Sequence, residues 1–294
     1  MTRSEIDVLN PQTLDEALML LHQDQPELRI IAGGSDVIVQ LRDGVIKTKK
    51  LLNLLPLKEL RFIRKIDDRI HTGSLTTYSD IVRSELVTKY ARLLADAARQ
   101  IGAIQLQNTA TLGGNLGNAS PAGDSLPPLY ALNAVVVTRS NSGRREIPIE
   151  DFFIGYRKTA LRPDELIEEV YFDALSENDR SAFLKLGLRE ANAISIVNVA
   201  VVLRGRKPDD SFTNVRIALG AVAPTIRRAN KCEQALLNKR LDPGTMWKAS
   251  TLAAEDTSPI DDIRGSAEYR KHVVTSLVYE GLYEAVVGRV KPHE

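Results

Sequence analysis

Two glycine-bearing stretches hold the strongest chemical signal in this 294-residue chain. The first is Ile31-Ala32-Gly33-Gly34-Ser35-Asp36-Val37, which follows an apolar run from Leu28. With no side chains at Gly33 and Gly34, backbone N–H groups could approach a pyrophosphate, and Ser35 adds a hydroxyl donor. A double glycine after a strand is also what a tight turn at positive φ needs, and the residues alone leave both readings open. The second stretch runs from Thr111-Leu112-Gly113-Gly114-Asn115 through Asn118-Ala119-Ser120-Pro121 to Asp124. Its low charge and small residues suit a backbone packed against a flat, polar-edged cofactor; a long surface loop that bends at its glycines would have the same composition. Neither stretch is the G-x-G-x-x-G dinucleotide fingerprint, and no Gly-Lys-Ser/Thr phosphate loop occurs.

Other chemistry is excluded by residue counts. Cys232 is the only cysteine, so the chain forms no internal disulfide and cannot supply the four thiolates of an iron-sulfur cluster. The histidines, His22, His71, His272 and His293, are scattered without ligand spacing, and no metal is assigned. Lys and Arg (39) nearly balance Asp and Glu (38), which argues against nucleic acid as a partner. The stretch Met1-Thr2-Arg3-Ser4-Glu5 leads into polar sequence without an apolar targeting core, and no run reaches the length of a membrane span. A cytoplasmic location is expected.

The positioning elements follow from periodicity and punctuation. Thr13 caps a helix with apolar positions Leu14, Ala17, Leu18 and Leu21. A strand over 28–32 enters the first glycine turn, and 37–41 reads as a short helix or buried turn that stops at Arg42-Asp43-Gly44. Strand-like runs come at 50–54, 60–66 and 70–73, then a helix over 78–100. Residues 101–125 read as one long loop, against a usual connection of about 4 to 6 residues. A hairpin turns at Asn141-Ser142-Gly143, and another strand covers 166–172. Polar Ser176-Glu177-Asn178-Asp179 is the linker candidate. Three strands at 182–188, 194–203 and 215–222 precede helices over 228–237, 246–256 and 269–287.

The glycine stretches, in this order and spacing, closely resemble the flavoprotein subunits of the xanthine dehydrogenase and carbon monoxide dehydrogenase family, the molybdenum hydroxylases. Three more segments extend the resemblance over nearly the whole chain. Phe152-Phe153-Ile154-Gly155-Tyr156-Arg157-Lys158-Thr159 is similar to an F-F-x-G-Y-R-K-T segment of the xanthine-oxidising branch. Lys185 to Arg189 falls where the family has a Lys and a basic residue, and Gly220 to Leu237 resembles its C-terminal domain. One segment departs: Gln107-Asn108-Thr109-Ala110-Thr111 lacks the Arg and Gly of the usual R-N-x-G-T approach.

The resemblance implies an α+β fold. An FAD-binding domain of the vanillyl-alcohol-oxidase type would occupy 1–176, as two α/β lobes of about 1–56 and 57–176. A C-terminal α+β domain over 177–294 would be built on a three-stranded antiparallel sheet and helices. It also implies non-covalent FAD, with Ile31, Ala32, Gly33, Gly34, Ser35, Asp36 and Val37 around the pyrophosphate and Thr111, Leu112, Gly113, Gly114 and Asn115 as the facing loop. Asp124 would contact the cofactor through a ribose or adenine donor. Ile167 would touch the adenine end, or be an ordinary strand core residue. Lys185 would lie at the pyrimidine edge of the flavin, or be an exposed strand lysine. Tyr156, Arg157 and Lys158 are open between a packed turn and a role at the flavin or a subunit interface.

In such a complex a large molybdopterin subunit oxidises substrate, a small subunit with [2Fe-2S] clusters relays the electrons, and this chain's flavin passes them to an acceptor. A dimer of heterotrimers is the expected assembly, and no side chain of this chain is catalytic in itself. A stand-alone flavin oxidase or reductase of the same fold, such as the cell-wall precursor reductase, is the first alternative. A non-catalytic assembly protein without FAD is the second. The substrate and the final acceptor (NAD, oxygen, a quinone or a ferredoxin) are not fixed by the sequence.

Overall fold

The computed structural model describes residues 6–23 and 27–288, so the polar start at 1–5 and His293 lie outside the described residues. The Leu14–Gln23 helix begins where expected: the Thr13 hydroxyl accepts the Glu16 N–H at 3.2 Å. Its buried Ala17, Leu18 and Leu21 cover a parallel three-stranded sheet in which Lys50–Asn53 lies between Asp7–Leu9 and Leu28–Ile31. Their leucine-rich core also takes in Leu75 and Leu166, which anchors this small sheet on the next one.

That second sheet is antiparallel, in the order Ile63–Ile66, Arg69–Gly73, Leu166–Asp173, Val135–Ser140, Gly143–Pro148. The hairpin turns at Asn141-Ser142, with Ser140 paired to Gly143 at φ +130°. The helix expected over 78–100 is three helices, Tyr78–Arg83, Glu85–Tyr90 and Arg92–Arg99. The Ser84 hydroxyl accepts the Val87 N–H and starts a new helix there, while Ala91 leaves helical geometry at ψ 46°. The long loop expected over 101–125 is also corrected, because it holds the helices Ile104–Thr109 and Leu112–Asn118. Thr111 starts the second of these by accepting the Gly114 N–H at 3.0 Å. Small residues there mark close packing: a Cβ on Gly113 would lie 2.6 Å from the Ser74 Cβ.

The C-terminal sheet is antiparallel, with Arg180–Gly187, Ser195–Arg206 and Phe212–Gly220 in sequence order. It has four strands rather than three, because Arg227–Arg228 pairs with Ala218 and Leu219. A two-residue strand has no periodicity to read. Both faces are buried. Val199, Val201, Ile217 and Leu219 pack under the long Ala267–Val287 helix, whereas Phe183, Ala200, Val202 and Ala218 join the core around the helices Arg92–Arg99 and Leu126–Ala131. The polar segment Ser176–Asp179 folds as a turn, with the Ser176 N–H on the Asp179 carboxylate at 2.8 Å, and the cores on either side of it are continuous. No helix of the described residues is long and apolar enough to cross a membrane.

Candidate cofactor cleft

The two glycine stretches meet across a cleft of about 1320 Å³, lined also by Tyr78, Gly117, Asn118, Tyr156, Arg157 and Ile194. They approach so closely that a Cβ on Gly33 would stand 1.7 Å from the Thr109 carbonyl oxygen. Gly33 is therefore a packing glycine that lets two backbones touch. Gly34 is the conformational one, at φ +74°, where an L side chain is strained.

The two stretches do different work. In the first, the backbone N–H groups of Gly33, Gly34, Ser35, Asp36 and Val37 have no acceptor among the described residues. Such a run of open amides has the chemistry to receive an anion. In the second, the Leu112 N–H goes to Thr76 O, Gly113 to Ser74 O, Gly114 to the Thr111 hydroxyl and Asn115 to Thr111 O. That helix thus offers no free amides at its start. It offers bare backbone instead: a Cβ on Gly114 would meet only the Thr111 hydroxyl, and one on Gly117 would meet nothing within 4 Å.

A polar knot ties the cleft wall together. Asn118 donates to the Asp36 carboxylate at 2.8 Å and accepts from Gln40 at 2.9 Å and Arg157 at 3.1 Å. Burial raises the Asp36 pKa, with the Arg157 charge and the Asn118 hydrogen bond opposing it. Arg157 sits at φ +51° in the turn between Phe153–Gly155 and Lys158–Thr159. This turn places Tyr156 and Arg157 on the cleft and leaves Lys158 off it.

Among the expected contacts, Ala32 through Val37, Thr111, Gly113, Gly114, Asn115, Asp124 and Ile167 line the cleft. Ile31, Leu112 and Lys185 do not. Ile31 lies behind Gly34, and Leu112 is fully buried in the core. The Lys185 side chain is only 7% exposed, so it is not an exposed strand lysine; its ammonium binds the Asp124 carboxylate at 2.5 Å and the Gln100 carbonyl at 2.8 Å. Asp124 in turn accepts from Ser195 and, at 2.7 Å, from Asn198. Sequence reasoning missed Gln40, Tyr78, Gly117 and Asn118 as site residues. Only Gly117 and Asn118 had a signal, their place inside the second stretch.

A family model for the FAD-binding domain in molybdopterin dehydrogenase matches residues 4–172, and the carbon monoxide dehydrogenase flavoprotein C-terminal domain matches 182–285. The chain belongs to the FAD-binding subunits of the molybdopterin dehydrogenases. It is 32% identical to the nicotinate dehydrogenase FAD-subunit of Eubacterium barkeri over 98% of both chains. It is 31% identical to the xanthine dehydrogenase FAD-binding subunit of Escherichia coli O157:H7 over 94% of each. Its structure matches a carbon monoxide dehydrogenase chain from Hydrogenophaga pseudoflava with TM-score 0.93 and 28% identity, covering 99% of this chain and 100% of that one.

The residues of this FAD-binding subunit fit that cofactor. The open amides suit a pyrophosphate, and the bare Gly114 and Gly117 backbone leaves room for a flat body. At about 1320 Å³ the cleft exceeds the roughly 300–1,000 Å³ common for smaller ligands. The buried hydroxyl of Ser74, which lines the cleft, has no partner among the described residues.

Proposed function

We propose that this chain takes electrons from the [2Fe-2S] clusters of a small partner subunit and passes them to an external acceptor. Substrate would be oxidised at molybdopterin in a large subunit, and the three chains would assemble as a dimer of heterotrimers. Bound FAD supplies the redox chemistry, a carrier able to exchange electrons singly or in pairs. The chain's part is to hold it: Gly33 to Val37 around the pyrophosphate, Gly113, Gly114, Asn115 and Gly117 against its body, and Ile167 toward the adenine. The two sheets before residue 176 would be the lobes of a vanillyl-alcohol-oxidase-type fold, with the C-terminal domain from 177.

The observation that carries electron transfer over a self-sufficient oxidase is the state of the carboxylates lining the cleft. Asp36 is held by Asn118, Asp124 by Lys185, Ser195 and Asn198, and Glu165 by Arg145 at 2.6 and 2.9 Å. Tyr78, the buried phenol, shares its hydroxyl with Ser125 at 3.1 Å, and burial raises its pKa. Asp124 and Glu165 have both oxygens occupied, so neither is free to take a proton from a substrate, as a general base must be, while Asp36 is tied to Asn118 through one oxygen.

The test is anaerobic reduction of the FAD-loaded chain. Reduction by a reduced [2Fe-2S] partner subunit, with none by small organic substrates alone, is the expected result. Turnover of a substrate by the isolated chain would overturn the proposal in favour of the stand-alone oxidase.

A further inference from the structure

We infer that the outward side of the Val37–Arg42 helix, together with the basic strip at Lys47 and Lys49, is the surface on which the [2Fe-2S] partner subunit docks. This rests on the electron-transfer reading above and names where that partner meets the chain.

The helix follows directly from the first glycine stretch, and none of its residues is buried. Its sides differ. Val37 and Gln40 line the cleft, whereas Ile38 and Val39 do not and are 52% and 42% exposed. The chain then folds back on the helix: the Val45 N–H meets the Gln40 carbonyl at 2.9 Å, and Val45 is 72% exposed. Exposed apolar residues are ordinary when scattered, but three gathered on one short segment make an apolar patch with no cover among the described residues. A partner seated on Ile38 and Val39 is separated from the cleft by a single helix, roughly 10 Å across with its side chains.

Charge selects the occupant. Thr48 is half-buried, with its hydroxyl on the Glu27 carbonyl, while Lys47 and Lys49 on either side of it are exposed. Arg42 is engaged by Asp43 at 3.0 Å, but no ion pair among the described residues neutralises Lys47 or Lys49. A thiolate-bound [2Fe-2S] cluster is an anion, because four thiolates and two sulfides outweigh two ferric irons, and reduction adds a further negative charge. Two free lysines beside an apolar face complement such a partner and speed its encounter. A second copy of this chain would instead bring the same lysines twice to one isologous contact.

The experiment takes the FAD-loaded full chain and the purified, cluster-loaded [2Fe-2S] subunit. It measures their dissociation constant and, under anaerobic conditions, the rate of flavin reduction. Val39→Glu should weaken the complex about tenfold or more at every salt concentration. Lys47→Glu combined with Lys49→Glu should weaken it about tenfold at low salt and match wild type near 1 M salt, where charges are screened within about 3 Å. In both, reduction by the partner should slow, while FAD affinity and reduction by dithionite stay those of wild type. Lys47→Arg with Lys49→Arg should behave as wild type. Unchanged affinity for the [2Fe-2S] subunit in either Glu variant would overturn the inference. So would a Val39→Glu chain that loses the large subunit or its own self-association and keeps the [2Fe-2S] subunit. A wild-type chain that neither binds the [2Fe-2S] subunit nor takes electrons from it would instead sink the underlying electron-transfer reading. Should Val39→Glu fail to fold, the double lysine variant, confined to exposed side chains, decides the matter by its salt dependence.

Discussion

Replacing Gly117 by alanine should move apo stability and cofactor affinity in opposite directions. Gly117 lies in the Leu112–Asn118 helix, has ordinary helical geometry, faces the cleft, and has nothing within 4 Å of an added Cβ. Glycine inside a helix costs about 0.5–1 kcal/mol relative to alanine, so the apo protein gains about that much. At about 2–4 °C per kcal/mol for chains of this order, its Tm rises by about 2 °C. The same methyl occupies space that bare backbone leaves for the cofactor, and overpacking a fitted surface costs about 1–3 kcal/mol, or a loss of about 5- to 150-fold in affinity. Differential scanning fluorimetry of the apo chain and a fluorescence titration with FAD measure the two effects. Gly143→Ala, in a hairpin turn at φ +130°, is the control: it lowers Tm and leaves FAD affinity alone. Unchanged FAD affinity in Gly117→Ala would refute the placement of this helix against the cofactor, and a lower apo Tm would refute the account of its backbone.

Three further outcomes follow from named contacts. Gly33→Ala should destabilise the apo protein more than Gly34→Ala in urea unfolding, by about 3 kcal/mol against about 1–2, because Thr109 backbone blocks the first, whereas the second meets φ strain and the flexible Ile38 side chain at 3.2 Å. Arg145→Met leaves Glu165 buried without its bidentate partner and should cost about 3 kcal/mol at neutral pH. Burial alone would raise the Glu165 pKa and the Arg145 contact holds it down, so the deficit should shrink as pH falls below about 4. Asp262 is pushed up by burial but held at about 2 by Arg264 and Arg270, against 3.8 ordinarily. Its contribution is present above that ordinary value and lost as pH falls toward 2, so wild type and Asp262→Asn should differ in denaturation midpoint at pH 6 and converge near pH 2.

Local punctuation was the legible part of this fold. Thr13, Gly44, Asn141-Ser142-Gly143 and the alternating apolar strands put most elements within a few residues of where they lie. What could not be read was structure made by tertiary contact. The helix at Leu112–Asn118 has three glycines and two asparagines where propensity opposes it, and it exists because Thr111 caps it and Ser74 and Thr76 take its first amides. The same holds for the site. Gly33 and Gly34 announced a close approach, but which backbone approached which depended on Thr109, far along the chain. Lys185 was legible as important through its family resemblance, while its partner was not, since nothing in a sequence joins residues 124 and 185. Tyr78 and Gln40 reach the cleft from helices whose periodicity reports only burial.

The doubly buried C-terminal sheet also imposes an order on events at the ribosome. Helices Arg92–Arg99 and Leu126–Ala131 are complete long before Phe183, Ala200 and Ala218, which close their core, have been synthesised. At about 5–20 residues per second, the stretch from residue 175 to 220 takes roughly 2 to 9 seconds to emerge, and during that interval an apolar surface stands open. A complete cleft comes late too, after translation has delivered Asn192, Ala193 and Ile194, which line it. Nascent chains of this protein should accordingly engage holding chaperones until the last sheet arrives, and a truncation before it should yield aggregate rather than a small flavin-binding domain.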